Sequence, residues 1–241
     1  MMIKYSITLF FLLSLSLFAE NSFLKNKMVV GCENEEGYPP FIYKNKATRK
    51  LEGYSVDLLN LVFKDSGAKI RYELLPWKRC MNYMGEKKTM DIVLAAASTK
   101  ERRKKYLFSD AFAEVNLAYF YDKQRYPKGF NIENPSDFDK MKTVCGMRGF
   151  VYGNYGLSKE IYQEANSFQQ LVNMVIFKRC DVILVRYEVF KSLRIAYSNF
   201  EYHDRMKGGI IPWRKDNPIK FYFLSKEHHT LFAIFQEYHQ K

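Results

Sequence analysis

An α/β fold in two lobes is predicted by three features of this sequence. Strand and helix candidates alternate along the first half of the chain. The alternation resumes after a polar connection, Asp122 to Asp137, and one more strand candidate, Ile219 to Ser225, comes late. Such alternation builds parallel sheets covered by helices. A chain of 241 residues, at about 100–200 per domain, has room for one large domain or two compact lobes. Two lobes joined by crossing strands account for the order of elements.

Met28 to Gly31 is a short apolar strand, followed by the turn-forming run Gly37-Tyr38-Pro39-Pro40. From Gly53 to Ser66 the apolar residues Val56, Leu58, Leu59, Leu61, Val62 and Phe63 fall mostly at helical spacing, and Gly67 stops the helix. Ile70 to Leu75 alternates as a strand, Trp77 to Met84 reads as a helix, and Asp91 to Ala97 as a buried strand. In the second half, Thr143 to Gly146 is a strand and Gly149 to Gly156 a loop of glycine and tyrosine. Ser167 to Phe177 is a helix and Cys180 to Val185 another buried strand. Thr230 to His239 forms a final short helix.

The N-terminus carries the marks of export. Lys4 precedes an uncharged, largely apolar run from Tyr5 to Ala19, and Leu17-Phe18-Ala19 has the form of a signal-peptidase site before Glu20. That run is shorter than the ~20 residues of a spanning helix, and no other stretch is as apolar, which excludes a chain that crosses a membrane repeatedly. The net charge of +12 invites a nucleic-acid reading, against which export weighs heavily. Solvated lysine-rich faces, or attraction to anionic ligands and membrane surfaces, account for the charge instead.

Export also permits disulfides among Cys32, Cys80, Cys145 and Cys180. Their spacing fits no zinc pattern, and the four histidines lie far from them in sequence, so no metal or other cofactor is expected. Val29-Val30-Gly31-Cys32 imitates a lipoprotein cleavage box, but Glu20 to Lys27 separates it from the apolar run. Cys32 is therefore read as a strand cysteine.

Five segments together resemble the family 3 extracellular solute-binding proteins, of the polar amino-acid type that serves ABC transporters. They are YPPFIY (Tyr38 to Tyr43), EGYSVDLLN (Glu52 to Asn60), PWKRC (Pro76 to Cys80), the Asp91 strand, and STKERRKKYLFSDAF (Ser98 to Phe112). PWKRC marks a subgroup. The resemblance implies a type II periplasmic-binding-protein fold, each lobe a mixed, mostly parallel sheet flanked by helices, with a two-strand hinge. It places a signal peptide over residues 1–19, lobe 1 over 20–116 and lobe 2 over 117–215, with a return strand and C-terminal helix of lobe 1 over 216–241. It also implies that Cys32 pairs with Cys80 and Cys145 with Cys180, each within a lobe, which leaves the hinge free. Free buried thiols are the alternative.

A small zwitterion between two lobes needs a cation, an anion and an apolar or aromatic wall. Arginine suits a carboxylate because its planar fork makes two parallel hydrogen bonds. The family's Thr-x-x-Arg turn is matched by Thr99-Lys100-Glu101-Arg102, which favours Arg102 as a ligand residue. Its place in the basic run Arg102 to Lys105 points instead to a solvated surface. Tyr38 matches the family's pocket aromatic, and Trp77 serves equally as pocket or core. Arg79 faces either the cleft or a surface partner. Ala95 and Ala97 stand where typical relatives offer hydroxyls, leaving backbone groups to bond the solute. Gly149 and Phe150 fall at the second-lobe turn whose backbone N–H groups receive a carboxylate; a plain capping turn is the alternative.

The departure from the family pattern is at Arg186. Members that bind α-amino acids hold the ammonium group with an Asp at this point of the strand beginning near Asp181. An arginine there repels an ammonium ion. Either Glu188 substitutes for the Asp, or the solute lacks a free amine and Arg186 joins Arg102 in binding an anion. Arg186 turned to solvent, or paired with Glu188, is an alternative of equal weight.

The function these features imply is a monomeric periplasmic receptor. It captures a small carboxylate-bearing solute by hinge closure and passes it to a membrane transporter. A sensory receptor domain with the same cleft is an alternative, and a dehydratase-like enzyme using Glu188 or Glu114 as base is a weaker one. No Ser-His-Asp, Cys-His or metal constellation supports catalysis, and nucleic-acid binding ranks last.

Overall fold

The structure, a computed structural model, describes residues 26–226 apart from 65, 88, 198 and 199. The apolar run before Glu20 and the helix expected over Thr230 to His239 lie outside the described residues. The chain begins with strand β1 (Met28–Asn34), the hairpin of β2 (Tyr43–Lys44) and β3 (Leu51–Glu52), and helix α1 (Tyr54–Phe63). Next come β4 (Lys69–Leu75), α2 (Trp77–Asn82), β5 (Ile92–Ala97), α3 (Lys100–Lys105), β6 (Leu107–Phe108) and β7 (Ala113–Val115). The second half holds β8 (Leu117–Asp122), β9 (Val144–Met147), β10 (Tyr162–Ala165), α4 (Phe168–Ile176), β11 (Val182–Arg186), α5 (Tyr187–Ala196) and β12 (Met206–Ile210). Strand β13 (Ile219–Ser225) ends the described order.

These strands form two principal sheets, giving the two-lobed type II arrangement. The first runs β4-β1-β5-β13-β6, with β7 also beside β13; the second runs β10-β9-β11-β8-β12. Strand β1 lies parallel between β4 and β5, and β13 joins antiparallel. In the second sheet β9 is parallel to β10 and β11, while β8 is antiparallel to β11 and β12. The chain passes between the sheets twice, at Asn116 between β7 and β8 and again between β12 and β13.

The central strands show why apolar runs mark them. All six residues of β5, IVLAAA, are buried, as are all five of β11, VILVR, because neighbours cover both edges and both faces. Helix α4 buries Phe168, Leu171, Val172 and Val175 at helical spacing, and the Ser167 side chain accepts the Gln170 N–H to cap its first turn.

Some boundaries differ from those read in the sequence. The strand expected over Met28 to Gly31 runs on to Asn34, held in the sheet by parallel pairing as far as Asn34 opposite Leu75. The helix expected over Trp77 to Met84 stops at Asn82 and widens into a π turn, Tyr83–Lys87. The polar connection after β8 is anchored to the second sheet. Arg125 and Tyr126 both bond the Asp181 carboxylate at 2.6 Å, and Asp181 also accepts the N–H groups of Lys142 and Thr143. That cluster ties the connection to the start of β11.

The disulfides are Cys32–Cys80 in the first lobe and Cys145–Cys180 in the second, with Cα separations of 5.7 and 6.0 Å. Neither crosses between the lobes, so both rigidify a lobe without fixing the angle between them. Replacing Cys145 and Cys180 together with serine is expected to lower stability by about 2–4 kcal/mol, read as a fall in the denaturant midpoint.

Candidate functional site

A cleft opens between the two sheets at the C-terminal ends of β1 and β5, where an α/β sheet presents its ligand crevice. From the first lobe it is lined by Glu33, Tyr38, Trp77, Ala95, Ala97, Arg102 and, on the return strand, Phe221. The second lobe contributes Phe150, Val151 and Arg186. About 30 Å³ is open to the centres of water-sized groups, room for two or three waters at ~10–15 Å³ each. The two lobes meet across it, Tyr38 and Trp77 of the first packing on Phe150 of the second.

Local structure explains how Arg102 reaches the cleft. Thr99 caps α3, its Oγ1 accepting the Arg102 N–H at 3.1 Å, so the Thr-x-x-Arg spacing fixes Arg102 on the first turn. Its Nη1 donates to the Ala97 carbonyl at 2.9 Å, and its guanidinium stands 5.5 Å from the Trp77 ring centroid. Arg103, Lys104 and Lys105 are exposed, whereas Arg102 is half-buried. Burial, together with the nearby Arg186 charge, lowers the Arg102 pKa from its ordinary value; Tyr106 and Glu33 oppose that change.

Arg186 comes from the other side, at the end of β11, and is 5% exposed. Its Nη2 donates to the Val151 carbonyl at 3.0 Å, Nη1 reaches the Tyr155 hydroxyl at 3.5 Å, and Nε is buried with no hydrogen-bond partner. The placement of Arg186 at a solvent face, or in a pair with Glu188, does not hold.

The aromatic wall spans both lobes. Tyr38 is 4% exposed and packs 5.7 Å from Phe221 in its own lobe, and 5.9 and 6.0 Å from Phe150 and Phe168 of the other. Trp77 meets Phe150 edge-on at 6.1 Å. Ala95 and Ala97 line the floor with small apolar side chains.

Three candidates stand elsewhere. Glu188 is taken up at the crossover, its two oxygens accepting the backbone and side-chain N–H groups of Asn116 at 2.8 and 2.7 Å. Arg79, on the outer side of α2, is exposed. Gly149 borders the cleft without lining it, and the Phe150 N–H is spent on the Met147 carbonyl at 3.3 Å. Phe150 therefore contributes its ring.

The acidic residue of the cleft is Glu33, which sequence reasoning passes over. It is 1% exposed; its Oε1 accepts the Asn34 N–H at 2.9 Å and its Oε2 has no partner. Burial raises its pKa to about 8, against the lowering effects of that hydrogen bond and of Arg102. A carboxyl group this deeply desolvated keeps its proton at neutral pH until a cation or donor approaches.

A second carboxylate bridges the lobes beside the cleft. Glu36 of the first lobe accepts the Phe168 N–H at 2.5 Å, at the first turn of α4, where the helix dipole favours negative charge. This bond exists only when the lobes are together. Glu36→Ala is expected to weaken solute affinity about fivefold, the effect of losing ~1 kcal/mol of closure, measured by isothermal titration.

Among the described residues no group of three or more His, Cys, Asp or Glu side chains could hold a metal ion. None of their helices is long and apolar enough to cross a membrane.

Two lobes, two crossovers and a closed polar-aromatic cleft between them define a solute-binding architecture. The model of the bacterial extracellular solute-binding proteins, family 3, matches residues 28–238, and the chain belongs to that family. It is 33% identical over 89 residues to the L-cystine-binding protein TcyA of Bacillus subtilis, covering 37% of this chain and 33% of that protein. It is 22% identical over 142 residues to an arginine-binding periplasmic protein of Mannheimia haemolytica, covering 59% and 55%. The matched segments thus span about a third to just over half the length of these curated relatives. Among solved structures, the arginine-, lysine-, histidine-binding protein ArtJ of Geobacillus stearothermophilus shares the fold with a TM-score of 0.69 at 17% identity, over 89% of this chain and 90% of that one. A histidine kinase sensor domain similar to periplasmic binding proteins gives 0.71 at 14% identity, over 90% and 92%.

Proposed function

We propose that this protein is exported by the leader ending near Ala19 and works as a monomer in the periplasm. There it captures a small carboxylate-bearing solute by closing its two lobes and delivers it to an ABC-type transporter. The observation that carries this reading is the pair Arg102 and Arg186, one from each lobe, lining one buried space. A carboxylate between them is held from both sides, so binding draws the lobes together and favours the closed state. Tyr38, Trp77, Phe150 and Phe221 supply the wall that excludes water and strengthens those charged hydrogen bonds. The lobes part at the two crossovers to admit solute and come together on it. No bond is made or broken.

The test is thermal unfolding of protein that has been denatured and refolded to strip it of solute, with and without small carboxylic acids and amino acids. A ligand at 100 times its Kd adds about 2.7 kcal/mol, raising Tm by roughly 5–10 °C for a chain of this size. A flat response across every small carboxylate would remove the reading.

A further inference from the structure

We infer that the solute is a small dicarboxylate, its two carboxylates shared between Arg102 and Arg186. This deepens the carboxylate-receptor reading and rests on it. Charge balance is the first support. The charged residues lining the cleft are Glu33, Arg102 and Arg186, and arginine does not give up its proton in proteins. The cleft therefore holds a net charge of one positive unit with Glu33 ionised and two with it protonated. A zwitterion with one carboxylate leaves that excess in place, and a cationic amino acid increases it. In a buried site like charges repel strongly. A dicarboxylate carrying an amine balances the cleft with Glu33 ionised; one without balances it with Glu33 protonated.

Hydrogen-bond capacity is the second support. Arg102 and Arg186 each have a nitrogen committed to a backbone carbonyl, Ala97 and Val151 respectively. Those bonds, with the 3.5 Å contact from Arg186 Nη1 to the Tyr155 hydroxyl, orient the guanidinium groups and leave their remaining N–H groups for a ligand; the Nε of Arg186 is buried without a partner. Glu33 Oε2, equally buried and unpartnered, asks for a donor on the solute or keeps a proton of its own. An orphaned buried donor is costly, so a solute with acceptors for both arginines is preferred over one that serves a single arginine. A guanidinium solute would enter beside two other guanidinium groups, which disfavours it.

The experiment is isothermal titration at pH 7 of solute-stripped protein with L-glutamate, L-aspartate, succinate, L-glutamine and L-arginine. At least one dicarboxylate is expected to bind at least about tenfold more tightly than L-glutamine, with L-arginine weaker still. Whether the amino acids or succinate bind better tells which state Glu33 adopts. Arg186→Gln, checked for an unchanged fold by circular dichroism, is expected to cut the preference for dicarboxylate over L-glutamine at least about tenfold. The inference is overturned by L-glutamine or L-arginine binding as tightly as every dicarboxylate, or by a preference unchanged in Arg186→Gln. In either case the solute-receptor reading survives. If all five fail while another monocarboxylate binds, the inference again falls alone. If no small carboxylate binds, both fall.

Discussion

Arg102→Ala is expected to weaken the binding of any carboxylate solute by at least about 100-fold, the order of loss when one partner of a buried charged pair is truncated, about 2–5 kcal/mol. The size follows from where Arg102 sits. It is the one member of its basic run drawn into the cleft, oriented by the Ala97 carbonyl and backed by the Trp77 ring. Arg102→Lys keeps the charge but loses the planar fork, so an intermediate affinity is expected. Isothermal titration measures both. Equal affinity in wild type and Arg102→Ala would place the carboxylate elsewhere.

The second large effect concerns Glu33 and pH. In the solute-free fold its carboxyl keeps a proton up to about pH 8, whereas in an unfolded chain it ionises near 4.5. Between those values the folded state binds the extra proton. The stability this group contributes is full below pH 4.5, declines as the pH rises, and is lost once pH passes about 8. Every tenfold difference in proton affinity between the folded and unfolded chain is worth about 1.4 kcal/mol, so a fall of a few kcal/mol is expected between pH 5 and 8.5. Glu36, also raised chiefly by burial, adds in the same direction. His203 is lowered by burial, so its contribution is present at higher pH and lost as pH falls; it opposes the trend. Urea denaturation of wild type and Glu33→Gln isolates the Glu33 part, and the difference between the two is expected to grow with pH in favour of the variant. A difference independent of pH would mean that Glu33 ionises normally.

Much of both lobes was legible because many of their features are local. Apolar runs marked β5 and β11, and the Thr99 cap explains why a Thr-x-x-Arg spacing carries Arg102 into the cleft. The cysteine pairs followed from the family topology. Other parts depend on contacts distant in sequence. Glu33 lies in the polar run Glu33-Asn34-Glu35-Glu36, which looks like a solvated turn, and only pairing of β1 with β4 as far as Asn34 buries it. The one available signal was its position at the end of an apolar strand just before the Tyr38 turn. Phe221 reaches the cleft on a strand that returns from the far end of the chain, which no local pattern marks. Glu188 misled for a geometric reason: two residues past Arg186 the chain is already helical, and its carboxylate turns to Asn116 at the crossover. The inter-lobe bond from Phe168 to Glu36 joins residues whose neighbourhood exists only in the closed form.

The most direct test is equilibrium dialysis of solute-stripped protein against a mixture of small carboxylic acids and amino acids, read by mass spectrometry, for wild type and for the double variant Arg102→Ala, Arg186→Ala. A receptor that grips a carboxylate between its lobes predicts one carboxylate-bearing solute retained per wild-type chain and none by the variant. Retention unchanged in the variant, or no solute retained by wild type, would contradict it.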